Sequence, residues 1–162
     1  MNTGQMLMAL GALILLSAMV MRFNRAVLTS DDVMYNSKFN VLASSLATSL
    51  IEEAKGKAFD TKTVSAAVNN VNQLSTALKA ESGEVYPDFD DFDDFNGYVK
   101  VDSTMPSAVF YVTSKVTYVS MSNPDVESST PTWRKGITVT VMSSSMSNPV
   151  QMSSIYTYWY YR

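Results

Sequence analysis

The first 21 residues contain no charged side chain, and this feature most constrains what the chain can become. Residues 6–21 are apolar apart from Gly11 and Ser17, and Arg22 and Arg25 end the run. In an α-helix, about 21 residues at roughly 1.5 Å each extend about 31 Å, enough to cross the hydrocarbon core of a bilayer. Residues 1–25 therefore predict an apolar helix that lies in a membrane or in the interior of a filament.

A second apolar pattern follows in residues 26–58. The apolar residues there recur at spacings of three and four, which places them on one face of a helix. They are Phe39, Leu42, Ala43, Leu46, Leu50, Ile51 and Ala54. We expect residues 26–58 to continue the first helix as an amphipathic segment that ends near Gly56. The run Thr29-Ser30-Asp31-Asp32 is typical of a helix cap, so we expect a kink or restart there.

A removable secretory signal is the alternative explanation of the apolar run. Such a signal has a basic start and a shorter apolar core. No basic residue precedes this run, and the periodic apolar face continues beyond Arg25. The sequence therefore favours a retained helix.

Residues 59–97 predict a second helix and then an acidic loop. Asp60–Ala80 has apolar residues at helical spacing, and Thr61 or Thr63 could cap the helix. Gly83 and Pro87 follow, which favours a loop.

Residues 98–162 predict an antiparallel β-sheet head. Alternating β-branched and aromatic residues indicate four strands with polar turns between them. The strands are expected at Tyr98–Asp102, Val109–Val119, Gly136–Met142 and Val150–Tyr160. Helices followed by strands indicate an α+β fold, with the long N-terminal helix packed on a small four-stranded sheet.

The acidic loop contains five aspartates and three phenylalanines within ten residues, 88–97. Carboxylates this dense repel one another, and a hard cation such as Ca²⁺ would relieve the repulsion. The candidate metal ligands are Asp88, Asp90, Asp91, Asp93 and Asp94. The spacing differs from that of a calcium-binding helix–loop–helix. The alternative is a loop attached to the domain by Phe89, Phe92 and Phe95, with its acids in water. Both interpretations remain open.

Composition argues against several classes of function. The chain has no cysteine and no histidine, so it lacks disulfides, thiol nucleophiles and the usual acid–base residue. Its net charge of −3, without a basic cluster, argues against a nucleic-acid partner. Paired carboxylates could in principle cleave glycosides, but no cleft or desolvating pocket accompanies them in the sequence. We expect no enzymatic activity and no cofactor other than the calcium considered above.

The two-part N-terminal helix followed by a four-stranded antiparallel sheet resembles the type IV pilin superfamily, which includes pseudopilins of type II secretion. If Met1 is the first mature residue, Gln5 stands where these pilins usually carry a glutamate that pairs with a neighbouring subunit's N-terminus. Glutamine keeps the length and hydrogen-bonding ability of that side chain and loses its charge. The resemblance also implies a methylated N-terminus.

From this resemblance we expect a structural subunit, a major pilin, of an extracellular filament on the cell surface. Its partners would be further copies in a helical homopolymer, after a stage in the inner membrane with the pilus assembly machinery. The residues expected to serve assembly are Met1, Gly4, Gln5, Gly11 and Ala12; the small ones would let helices approach closely. The alternatives are a pseudopilin or minor pilin, and a single-span membrane-anchored binding domain that never polymerises.

Overall fold

The structure is a computed structural model that describes residues 2–159. The chain divides into two compact units, residues 1–38 and 39–162. Helix α1, Thr3–Lys55, supplies all the regular structure of the described part of the first unit and continues into the second. Met1 and Tyr160, which belong to the predictions above, lie outside the described residues.

The expected restart of the helix at residues 29–32 is wrong, because α1 is helical without interruption from Thr3 to Lys55. The Thr29 hydroxyl does not cap a new helix. It donates to the carbonyl oxygen of Arg25, one turn earlier, at 2.9 Å. A threonine that bonds back in this way lies inside a helix and often bends it slightly, without starting a new one. The expected end near Gly56 is confirmed, since the Gly56 amide donates to the Glu52 and Glu53 carbonyls.

The prediction of one helix over Asp60–Ala80 is also wrong. Helix α2 covers only Thr61–Ser65, and a single 3₁₀ turn follows at Val71–Gln73. Asp60, rather than a threonine, caps α2. The Asn70 side chain accepts from the Asn72 amide and caps the 3₁₀ turn in the same manner. Asparagine side chains that bond to nearby backbone compete with the helix, and this explains the irregular course of the segment.

The four predicted strands are confirmed. They are β1 (Val99–Asp102), β2 (Phe110–Tyr118), β3 (Arg134–Met142) and β4 (Val150–Thr157). They form one antiparallel sheet in the order β1-β2-β3-β4, in which each strand pairs with the next along the chain. Burial alternates along β2 and β3, so one face of the sheet points into a core.

The core of the second unit lies between that face and residues 39–55 of α1. The helix contributes the predicted stripe, of which Leu42 and Leu46 are partly buried and the rest buried, together with Ala47. The sheet contributes Phe110, Val112, Val116, Ile137, Val139 and Val141. Three alanines of the helix have no exposure, Ala43, Ala47 and Ala54, and such small side chains let the helix backbone lie close to its neighbours. The fold is α+β, with an apolar N-terminal helix packed on a four-stranded antiparallel sheet.

Candidate functional site

The N-terminal part of α1 presents apolar side chains to its surroundings on every side. No side chain among residues 2–38 is buried, and Leu7, Met8 and Leu15 are each at least 70 % exposed. The helix is long and apolar enough to cross a membrane by length and composition. Residues 3–21 alone extend about 28 Å. In water so much apolar surface is unfavourable, which makes this segment the first candidate for function.

Four of the positions expected to serve assembly, Gly4, Gln5, Gly11 and Ala12, lie among the described residues. A Cβ atom added at Gly4 or Gly11 would meet no atom within 4 Å. Gln5 and Ala12 are exposed. A side chain at Gly11 therefore has space within the chain, and we expect the steric effect of a larger residue there to arise against another molecule.

The acidic loop is attached to the second unit by the three phenylalanines, as one of the two interpretations expected. Phe89, Phe92 and Phe95 are 6 %, 0 % and 0 % exposed. The loop backbone pairs with the segment after α1, where the Phe92 amide donates to the Ala58 carbonyl at 2.9 Å. Gly97 ends the loop with a φ of +80°, a backbone conformation that favours glycine.

The Asn96 side chain joins three parts of the second unit. Its amide nitrogen donates to the Leu78 carbonyl at 2.8 Å, and its oxygen accepts from the Val116 amide in β2 at 2.9 Å. Asn96 therefore holds the end of the acidic loop between the preceding segment and the sheet.

The same interpretation was wrong about the acids, because three of the five are not in water. Asp91 and Asp93 are fully buried and Asp94 is 2 % exposed, whereas Asp88 and Asp90 are exposed. The phenylalanines occupy every third position of the loop, and the 3₁₀ turn at Asp93–Phe95 buries Asp93 and Asp94 together with Phe95.

Asp93 belongs to a buried ion network that the sequence analysis missed. The Lys135 ammonium donates to an Asp93 carboxylate oxygen at 2.5 Å, to Asp60 at 2.8 Å and to the Phe59 carbonyl at 2.8 Å. Asp60, Asp93 and Lys135 have no exposed surface. The alternation along β3 could have predicted this burial. Lys135 lies on the same face of the strand as the buried Ile137, Val139 and Val141.

One ammonium shared by two carboxylates pushes their pKa values apart. Burial acts to raise the pKa of Asp60, but the charge and hydrogen bond of Lys135 hold it below the ordinary value. Hydrogen bonds from Lys62, Ser75 and Tyr118 also stabilise the ionised form of Asp60. Burial raises the pKa of Asp93 to about 8 despite Lys135. The network is thus built around an ionised Lys135–Asp60 pair and is a structural element.

A second group of carboxylates forms the candidate metal centre. One oxygen from each of Asp90, Asp91 and Asp94 lies within 4.8 Å of the others, and Asp94 forms a similar group with Glu81 and Glu84. Burial raises the pKa of Asp91 to about 6 and also raises that of Asp94. Burial and the neighbouring Glu81 raise the pKa of Glu84 to about 7.

The structure groups only three of the five predicted metal ligands, namely Asp90, Asp91 and Asp94. Asp93 bonds to Lys135 instead, and Asp88 belongs to neither carboxylate group. Glu81 and Glu84 were not predicted. The two glutamates are three positions apart in the sequence, with Gly83 between them. Nothing else in the sequence indicated that they form a group with Asp94, because their proximity to Asp94 depends on the fold.

Comparisons with protein-family models, with curated proteins and with solved structures found no match for this chain. Its function is therefore inferred from its own residues.

Proposed function

We propose that this chain is the structural subunit of an extracellular helical filament of the type IV pilus kind, assembled through residues 3–38 of α1. One observation carries the proposal. An apolar helix segment with no buried side chain is continuous with a helix segment that packs on a folded head. A chain of this design suits a polymer with helices in its interior and heads outside.

The energetic argument concerns where the apolar side chains can reside. Six leucine or isoleucine side chains between residues 7 and 16 are each at least 59 % exposed: Leu7, Leu10, Leu13, Ile14, Leu15 and Leu16. Burying one such side chain contributes about 1.5–3 kcal/mol, so leaving all six in water costs roughly 10–20 kcal/mol. That equals or exceeds the whole stability of a typical domain. Lipid covers this apolar surface before assembly, and the helices of other copies bury it in the filament.

Close approach between helices needs small residues, and the segment supplies them. Gly4, Ala9, Gly11, Ala12 and Ala18 leave room for neighbouring backbones. The contacts are heterologous, with different surfaces of the helix meeting in successive copies, because such contacts generate an open fibre instead of a closed ring. The inner membrane and the assembly machinery are the partners before polymerisation.

The test uses a graded series at Gly11 in the producing cells. Gly11→Leu is expected to abolish fibres in material sheared from the cell surface and to leave the chain in the membrane fraction. Gly11→Ala should weaken assembly less. Leu10→Met is the matched control at the neighbouring position. It conserves the side-chain volume and should assemble normally. Normal fibres from Gly11→Leu would overturn the proposed packing.

The same fractions separate the alternatives. A major subunit dominates the sheared material, whereas a pseudopilin or minor pilin is a trace component of it. A single-span anchored binding domain gives no fibres from any variant, and the chain then stays with the membrane.

A further inference from the structure

The strongest unexplained feature of the second unit is a set of three buried carboxylate oxygens without partners. Asp91 Oδ2, Asp93 Oδ2 and Asp94 Oδ1 have no hydrogen-bond partner within the part of the chain that the structure describes. Asp93 bonds to Lys135 through its other oxygen, whereas Asp91 and Asp94 belong to one carboxylate group. The other oxygen of each is occupied. Asp91 Oδ1 accepts from the Asp93 amide at 2.6 Å, and Asp94 Oδ2 accepts from the Asp90 and Asp91 amides at 3.0 Å. Unpartnered buried oxygens of this kind are rare in folded proteins, and two of them in one carboxylate group indicate a polar or cationic partner from outside the chain.

Two groups of three carboxylates each have the spacing of a cation site, and Asp94 belongs to both. Oxygens from Asp90, Asp91 and Asp94 all lie within 4.8 Å of one another, and Asp94 has the same relation to Glu81 and Glu84. Calcium binds oxygen at about 2.3–2.6 Å, so two of its ligands can be up to about 5 Å apart. Asp94, common to both groups, joins the buried side of the cluster to Glu81 and Asp90, which are exposed.

The chain itself supplies no cation to the cluster. Among residues 2–159, no ion pair joins a lysine or arginine to any of the five carboxylates. The nearest buried ammonium, that of Lys135, bonds to Asp60 and Asp93. The Thr61 hydroxyl, which lies near Asp91, donates to Glu81 at 2.6 Å. The cluster therefore has no ion-pair partner among the described residues, and Lys135 acts on Asp91 only from a longer distance.

We propose that Asp90, Asp91 and Asp94, with Glu81 and Glu84 on the open side, bind one calcium ion. Carboxylates alone, without histidine or cysteine anywhere in the chain, favour a hard cation over zinc or copper. The ligands come from two loop segments, 81–84 and 90–94, with an exposed side for water. That arrangement suits the high and flexible coordination number of calcium better than the small rigid octahedron of magnesium. The ion would fasten the two segments together.

The experiment is calorimetric titration of the full chain in detergent micelles, after treatment with EDTA and its removal, with calcium chloride alone. We expect one site per chain with a dissociation constant on the order of 10⁻⁴ M, as in extracellular calcium modules. Asp91→Asn should weaken binding at least about tenfold, because a charged ligand is lost while the acceptor for the Asp93 amide is kept. Asp88→Asn is the matched control in the same loop and should change binding less than about twofold.

Two variants guard against a folding defect. Circular dichroism checks that Asp91→Asn is folded, and Glu84→Gln, at a half-exposed position, is expected to weaken binding several-fold without disturbing the core. The absence of binding at 10 mM calcium, or equal weakening by Asp88→Asn and Asp91→Asn, would overturn the site. Magnesium chloride binding as tightly as calcium would overturn the assignment of calcium.

The calcium site goes beyond the proposed filament and does not depend on it. All five ligands belong to one chain, so the titration needs no assembly. A failed titration would overturn the calcium site without affecting the filament proposal. An absence of fibres would overturn the filament proposal without affecting the calcium site.

Discussion

Removing the buried ammonium at Lys135 is the sharpest test of the core of the second unit. Lys135→Met keeps the length of the apolar part of the side chain and deletes its charge. It leaves Asp60 and Asp93, both without exposed surface, facing each other with no cation between them. Breaking a buried pair by removing one partner typically costs about 3–5 kcal/mol.

The magnitude also follows from protonation. Burial raises the pKa of Asp93, which favours its protonated form. Without Lys135, Asp60 must take up a proton to stay buried. From an ordinary pKa of 3.8, this costs about 4 kcal/mol at pH 7 and about 2 kcal/mol at pH 5. The loss of unfolding free energy in Lys135→Met is therefore expected to shrink by roughly half between pH 7 and pH 5.

The assay is urea unfolding of the full chain in mild detergent, followed by tryptophan fluorescence. The only tryptophans, Trp133 and Trp159, lie in the second unit, so the signal reports that unit alone. Lys115→Met is the matched control. Its ion pair with Glu127 is exposed, and its loss should cost less than about 1 kcal/mol. The double variant Lys135→Met/Asp60→Asn should recover stability at pH 7.

A cost below about 1 kcal/mol for Lys135→Met at pH 7, or a cost that does not change with pH, would refute this reasoning. Either result would mean that Asp60 and Asp93 do not face the lysine in a buried site.

Two further predictions use the same assay. Phe92→Ala should lower the unfolding free energy by about 3–5 kcal/mol, since the ring is fully buried and attaches the acidic loop. Phe23→Ala, at an exposed position outside the second unit, should leave the unfolding free energy unchanged. Similar effects from both variants would contradict the packing of Phe92. Folding lowers the pKa of Asp60, so as the pH falls the unfolded state takes up this proton before the folded state does. The contribution of Asp60 to the unfolding free energy is therefore present above pH 3.8 and is lost below it. Asp60→Asn should remove that part of the acid dependence, and an unchanged acid limb would contradict the assignment.

The sequence was informative where one local period determined the structure. Strands β2 and β3 alternate with a period of two, and the stripe from Phe39 to Ala54 repeats at three and four, so faces and packing partners could be predicted. Residues 60–80 also showed helical spacing, but Asp60 and Asn70 bond to the local backbone and break the segment into short turns.

The burial of the acids could not be predicted, because its causes are distant in sequence. Asp93 is 42 positions from Lys135, and Asp94 meets Glu81 only after the loop folds back. A run of aspartates is ordinarily solvated. Only the three-residue spacing of the phenylalanines indicated that one side of the loop would be inside.

The most direct test of the filament is electron cryomicroscopy of material sheared from the producing cells, with mass spectrometry to identify the subunit. The filament account predicts fibres made of this chain, with the helices of residues 3–38 packed in the interior and the four-stranded heads outside. A surface fraction without such fibres, with the chain confined to the membrane, would contradict it and favour an anchored binding domain.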